Sequence, residues 1–288
     1  RGAGRARGAH RADRVRCGVT LIMGVLNVTP DSFSDGGLWL EPEPAVAHAL
    51  DLVAQGADII DVGGESTRPG ARRVDPEEER VRVVPVIRRL AERGVTVSVD
   101  TMNASTARAA SDAGAAIIND VSGGLADAGM ADAVLATGLR YVVMHWRGEL
   151  DAGDSRAVYS DTVAEVRTEL SARVTDLLRR GVDPACLIVD PGLGFSKNAR
   201  HNWQVLAGLG DIEALGYPVL IGASRKRFLG ALLPDGSAVA DRDSPTAVVS
   251  ALAARAGVWA VRVHDVASTQ IALNVLRAWQ GGSDDQNR

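Results

Sequence analysis

From Thr20 onward the chain alternates two kinds of pattern: short apolar, β-branched runs, and longer stretches in which apolar residues recur every three or four positions. The first kind predicts strands over 21–28, 58–63, 96–101, 116–121, 140–146, 187–190, 218–223 and 259–264. The second predicts helices over 44–55, 76–93, 104–113, 128–137, 159–180, 201–215 and 244–256, with 267–279 closing the chain. Start and stop chemistry agrees with these bounds. Pro76 leads into Glu77, Glu78 and Glu79, acid at the positive end of a helix dipole, and Gly56, Gly94, Gly114, Gly138, Gly181, Gly216 and Gly257 stand where helices should end. Eight strand–helix units joined by short connections predict a single-domain α/β protein, a (β/α)8 TIM barrel. A doubly wound sheet needs no eighth unit and usually opens on a Gly-rich turn, whereas the first strand here runs into Asn27-Val28-Thr29-Pro30-Asp31. The barrel is expected over 17–280. A basic, Gly/Ala-rich and disordered tail is expected over 1–16, and a polar tail over 281–288.

In such a barrel, chemistry gathers where the strands end. Those ends read Asn27; Glu65-Ser66-Thr67-Arg68; Asp100; Asn119-Asp120; Met144-His145; Asp190; Ser224-Arg225-Lys226; and Arg262-Val263-His264-Asp265. A single Asp after a strand is usually a helix cap, but eight polar ends on one rim are hard to read as capping. Strand period puts Thr96, Ser98 and Asp100 on one face, and Arg262 and His264 on one face of the last strand. Arg68, Lys226, Arg262 and His264 suit an anion. Asp100, Asn119 and Asp190 are acceptors suited to a flat heterocycle with several N–H donors, and Lys226 is a candidate partner for Asp190. His10, His48 and His201 read as tail, surface and helix-cap residues, and 160–181 as a solvated helix.

Composition narrows the class. Hydrophobic residues make up 46% and charged residues 24%, which excludes wholesale disorder, and a formal net charge of −4 argues against nucleic acid as a partner. No apolar run is long enough for a membrane span, and Cys17 and Cys186 support neither a disulfide framework nor a zinc site. A cytoplasmic location is expected. Of the 32 basic residues only Lys197 and Lys226 are lysines. In a chain that uses arginine nearly everywhere, Arg225-Lys226-Arg227 keeps one lysine, where a compact point charge fits and a guanidinium fork does not.

Seven segments together resemble the dihydropteroate synthase family of folate biosynthesis. They are Gly24–Gly37, Asp61–Gly70, Ser98–Thr101, Ile118–Val121, Asp190–Phe195, Gly222–Lys226 and Arg262–Asp265. The likeness runs from about Leu21 to Trp279 in family order, and the first two segments are its most specific part. The resemblance implies condensation of p-aminobenzoate with 6-hydroxymethyl-7,8-dihydropterin pyrophosphate, giving 7,8-dihydropteroate and pyrophosphate, with Mg2+ as cofactor and a homodimer as the assembly. It implies that Asp100, Asn119, Asp190 and Lys226 hold the pterin edge, with Met144 and Phe195 near the ring and Gly222 leaving it room. It further implies Asn27 as a Mg2+ ligand and Arg68, Arg262 and His264 on the pyrophosphate. The loops around Phe33 and Thr67 would close over p-aminobenzoate, the substrate that sulfonamides mimic. Arg227 stands where many members carry a serine that contacts the p-aminobenzoate carboxylate; backbone N–H groups are the alternative there. A pterin-binding methyltransferase would lack the two long loops, and an inactive paralogue acting as a pterin-binding or regulatory protein is the remaining alternative.

Overall fold

Period-two strands with both faces covered need helices outside and side chains inside, and the chain supplies both. The computed structural model describes residues 19–28, 42–65, 74–148 and 155–284. Eight parallel strands follow in order: β1 Leu21–Asn27, β2 Ile59–Gly63, β3 Val97–Asp100, β4 Ile117–Asp120, β5 Arg140–Met144, β6 Leu187–Asp190, β7 Leu220–Ile221 and β8 Ala260–Val263. The ladder runs β6-β5-β4-β3-β2-β1-β8-β7, and a bridge between Val189 and Val219 joins its two ends. The expected barrel is therefore the observed one. β7 is shorter than the predicted 218–223; at its start Pro218 has no N–H to give the ladder, and its carbonyl accepts from Val189 N–H at 2.9 Å.

The helices are α1 Glu43–Gln55, α2 Pro76–Glu92, α3 Ala104–Asp112, α4 Met130–Thr137, α5 Thr162–Arg179, α6 Ala199–Ala207, α7 Leu209–Glu213, α8 Arg227–Gly230, α9 Asp243–Ala256 and α10 Val266–Asp284. All seven glycines expected to end helices have positive φ, between 64° and 116°. The single helix predicted over 201–215 is instead α6 and α7. The chain breaks at Gly208, where a Cβ would lie 2.9 Å from the Val163 methyls of α5. His201 caps α6 in a reciprocal box with Asn198, as expected. The last helix runs to Asp284, past its predicted end at 279.

The barrel interior is layered by chemistry. Leu21, Met23, Ile59, Ile117, Val142, Ile188, Leu220, Trp259 and Ala260 form an apolar plug in the lower half. A larger apolar layer lies between the strands and the helices. One period further along the same strands the inward positions become Asp61, Ser98, Asn119, Met144, Asp190 and Arg262. The register sets Asp61 opposite Ser98, Asp100 opposite Asn119 and Met144 opposite Asp190. The plug fixes the strands, and the polar layer on top of it becomes the floor of a site.

Some buried polar residues are structural. Glu79 of α2, 1% exposed, accepts from Thr101 Oγ1 at 2.9 Å, Asn103 Nδ2 at 2.9 Å and Thr106 Oγ1 at 2.5 Å, tying α2 to the end of β3 and the start of α3. Asp120 points away from the barrel axis and accepts from Ser122, Gly124 and Tyr141. Replacing Glu79 by alanine orphans three buried donors, so Glu79→Ala is expected to lose about 2–4 kcal/mol of stability. The shift of the urea unfolding midpoint measures it; a midpoint equal to the parent's would mean the bonds do not hold α2.

Candidate active site

At the C-terminal end of the barrel, the interior side chains above the plug converge on one another. Arg262 of β8 donates from Nε to Asp61 Oδ2 at 2.6 Å and from a terminal nitrogen to Asp100 Oδ2 at 2.7 Å, linking β8 to β2 and β3 across the interior. Asp61 is fully buried and also accepts from Asn119 Nδ2 at 3.0 Å. Committing the amide nitrogen of Asn119 leaves its oxygen as an acceptor. Asp190 accepts from the Gly192 N–H through Oδ1 at 2.7 Å. Besides the deeply buried Asp61 Oδ1, three oxygens are thus left without a partner among the described residues: Asn119 Oδ1, Asp100 Oδ1 and Asp190 Oδ2.

Two glycines keep this cluster open. A Cβ on Gly63 would lie 3.6 Å from Asp100 Oδ2 and 3.7 Å from Asn27 Oδ1, and one on Gly222 would lie 3.9 Å from Asp190 Oδ2. Neither has a positive φ, so both mark space rather than backbone strain. Met144 is buried beside Asp190 in the ladder, and Phe195 lies half-buried with its ring centroid 4.8 Å from Lys226 Nζ.

Low dielectric shapes the charges. Burial, opposed by Arg262 and reinforced by Asp61, pushes Asp100 up to about 7. Burial also raises Asp190, with Lys226 opposing it. Burial pulls Lys226 down to about 8 and Lys197 down to about 7, in both cases against the attraction of Asp190. Burial works to lower Arg262, but Asp61 and Asp100 outweigh it and keep the guanidinium firmly charged.

Of the residues expected from the sequence, Asn27, Asp100, Asn119, Met144, Asp190, Phe195, Gly222, Lys226, Arg262 and His264 all stand at this end of the barrel. Phe33, Thr67 and Arg68 lie outside the described residues. Some contacts differ from the simplest reading. Lys226 acts on Asp190 by charge, while its direct hydrogen bond goes to the Leu193 carbonyl. His264 Nδ1 lies 2.9 Å from Ser224 Oγ, which also accepts the His264 backbone N–H at 3.1 Å. Arg225 turns away into a bidentate pair with Asp243, and Arg227 begins α8 exposed. Asp61 was not singled out as a site residue. Its signal was present, since Ile59, Asp61 and Gly63 share one strand face.

These features match a known group of proteins. Residues 23–264 match the family described as pterin binding enzyme. The chain belongs to the dihydropteroate synthase family. It is 53% identical over 268 residues to the dihydropteroate synthase of Mycobacterium leprae, covering 90% of this chain and 93% of that protein. Among solved structures, it is similar to Xanthomonas albilineans dihydropteroate synthase with 4-aminobenzoic acid. That match has a TM-score of 0.85 and 44% identity, and covers 91% of this chain and 93% of the other. A second structure of that enzyme, in complex with 7,8-dihydropteroate, matches with a TM-score of 0.81 and 42% identity over 91% and 94% of the two chains. The matched span, residues 23–264, contains every residue of the polar floor described above, and the barrel is the fold shared with these structures.

Among the described residues no helix is long and apolar enough to cross a membrane, and no three His, Cys, Asp or Glu side chains gather to hold a metal on their own. Asn27 ends β1 with its amide oxygen beside the space left by Gly63. A neutral oxygen donor of this kind fits Mg2+, which commonly takes one or two protein oxygens and fills its octahedron with phosphate oxygens and water.

Proposed function

We propose that this cluster carries out the family reaction, joining p-aminobenzoate to 6-hydroxymethyl-7,8-dihydropterin pyrophosphate with release of pyrophosphate. The observation that carries the assignment of roles is the trio of uncommitted acceptor oxygens on Asp100, Asn119 and Asp190 beside Lys226 and Arg262. A flat ring presenting N–H groups along one edge satisfies such a trio, and each charge-assisted bond formed out of water adds affinity. Lys226 and Phe195 flank the ring, and Gly222 gives it room beside Met144.

The reaction needs no protein nucleophile. The bond between the pterin methylene and the pyrophosphate oxygen breaks with its electron pair going to the oxygen, and the electron-rich ring spreads the positive charge left on carbon. The arylamine nitrogen then bonds to that carbon and loses a proton. Protein groups contribute by holding the ring, excluding water and stabilising the departing anion, a task assigned to Arg68, Arg262 and His264. Asn27 would hold Mg2+, which when bound would supply further neutralisation of the leaving group. The test is formation of 7,8-dihydropteroate from the two substrates by the purified chain; binding of the pterin substrate without turnover would favour a pterin-binding paralogue.

The raised Asp100 carboxyl sets a pH dependence. Its acceptor role needs the carboxylate, which gains a proton as pH falls through about 7. Affinity for 6-hydroxymethylpterin is therefore expected to weaken as pH falls below that value. Calorimetry between about pH 5.5 and 7.5 reads this, and a flat profile would remove Asp100 from the pterin edge.

A homodimer in the cytoplasm completes the proposal. Val248 and Leu252 of α9 and Ile271, Val275 and Trp279 of α10 form exposed apolar stripes on two helices packed side by side, with Trp279 80% exposed. A patch of this kind suits a second copy of the chain. Ile271→Glu is expected to halve the mass measured by sedimentation equilibrium while leaving the fold intact, and an unchanged mass would move the interface elsewhere.

A further inference from the structure

The two lysines of this chain meet on the same turn. Lys226 reaches the Leu193 carbonyl from one side. Lys197, 4% exposed, reaches the turn from the other side, donating to the Gly192 carbonyl at 3.1 Å and the Phe195 carbonyl at 3.2 Å. Its third contact is His145 Nδ1 at 2.8 Å. The partners fix the tautomer of that histidine. Nε2 lies 3.0 Å from Glu169 Oε2, which can only accept, so Nε2 carries the hydrogen and Nδ1 is left to receive one. Burial, opposed by the Glu169 bond, holds His145 down at about 4, so the ring is neutral. Burial pushes Glu169 up, but His145 and Arg147 outweigh it and keep it ionised, at about 2.

We infer that Lys197 is a positioning residue for the pterin pocket, its ammonium clamping the Gly192–Phe195 turn against His145 so that Asp190, Lys226 and Phe195 are held in register. The inference rests on the reading of the pocket given above. Each link is a direct contact. The peptide whose carbonyl Lys197 holds is next to the N–H that orients Asp190 Oδ1, the carbonyl of Leu193 receives Lys226, and Phe195 itself is both a Lys197 acceptor and the ring beside Lys226. Leu193, fully buried, anchors the turn in the core, and the backbone on either side of it closely approaches the end of β5 and Lys226. A Cβ on Gly192, where φ is +67°, would lie 2.3 Å from the His145 carbonyl oxygen, and one on Gly194 would lie 2.8 Å from Lys226 Cδ. Backbone lies this close only where side chains are absent. An ammonium with three donors matches three acceptors around one buried point. A planar guanidinium does not, which accounts for a lysine in a chain whose other basic residues, Lys226 apart, are all arginine.

Lys197→Met and Lys197→Arg, titrated by calorimetry with 6-hydroxymethylpterin, which carries no diphosphate, test the inference. Both variants are expected to raise the pterin Kd by about tenfold or more, since a charge-assisted clamp is lost in each. In steady-state assays the KM for the pterin pyrophosphate is expected to rise with it, while kcat at saturation stays near the parent's. A folded Lys197→Met variant with the parent's pterin Kd would overturn the inference, and so would a Lys197→Arg variant that binds like the parent. Should both variants fail to fold, the parent decides. Protein carrying 15N-lysine is expected to show two side-chain amine signals, and the one that survives in Lys226→Gln is that of Lys197. That signal is expected to shift when 6-hydroxymethylpterin is added, and an unmoved signal overturns the inference. A parent chain that does not bind the pterin at all would sink the pocket assignment itself, a distinct outcome.

Discussion

Arg262→Ala is expected to cost both stability and pterin affinity, beyond any loss of grip on pyrophosphate. The guanidinium is the bond between β8 and the two carboxylates of β2 and β3, at 2.6 Å and 2.7 Å. Removing it leaves Asp61, which is fully buried, and Asp100, 7% exposed, facing each other without a cation. Breaking one side of a buried ion pair typically costs about 3–5 kcal/mol, and because the arginine side chain is 20% exposed the lower end, about 3 kcal/mol, is expected here. Asp100, which Arg262 now pulls down, would stay protonated to higher pH in the variant, so one pterin acceptor is lost near neutrality. Arg262→Lys restores charge but cannot span two carboxylates with a fork, and should recover only part of the loss. Thermal unfolding and calorimetry with a pterin lacking the diphosphate measure the two effects separately. An Arg262→Ala variant as stable as the parent, with parental pterin affinity, would make Arg262 an anion ligand alone.

The barrel was legible in the sequence because its signals are local and repeated. Each strand is a period-two run, and each helix end carries its own glycine or cap, so an error in one unit does not propagate. The exceptions are local too. At the start of the short β7 Pro218 has no N–H to give the ladder, and the break between α6 and α7 follows from how closely Gly208 approaches Val163, a contact between elements that no single window contains.

The site was legible where it lies at strand ends and illegible where it depends on what meets in space. Asp100, Asn119, Asp190 and Arg262 announce themselves by following apolar runs. Asp61 sits inside its strand, flanked by Ile60 and Val62, and reads as an interruption until Arg262 and Asn119 are seen to close on it. Lys197, His145 and Glu169 come from a turn, a strand end and the helix α5. Their sequence separations of 52 and 24 residues give no hint that they form one line of contacts. The long helix looked like a solvated surface element, and on its outer face it is. Its inner edge, through Glu169 and Glu165, holds His145 and Arg147.

Asp190→Asn is expected to weaken pterin binding by about 1.5–3 kcal/mol, some tenfold to a hundredfold, while sparing the fold. Oδ1 of Asp190 is committed to the Gly192 N–H, a bond that an amide oxygen can keep, so the turn survives the substitution. The other oxygen is the one left for the ligand, and in asparagine it becomes an NH2 group that points a donor at the donors of the ring edge. Charge changes in the same direction. Asp190 is the main attraction that keeps Lys226 and Lys197 protonated against burial, so losing it lowers the charge of both lysines near neutral pH. The substitution thus removes one acceptor directly and weakens the cation beside Phe195 indirectly, which is why its effect should exceed that of Asn119→Ala, where a neutral acceptor alone is lost. Calorimetry on the two variants at one pH, with unfolding curves as the control for fold, makes the comparison. Equal losses would mean that Asp190 acts as an acceptor only, and an Asp190→Asn variant with parental affinity would take it out of the pterin pocket altogether.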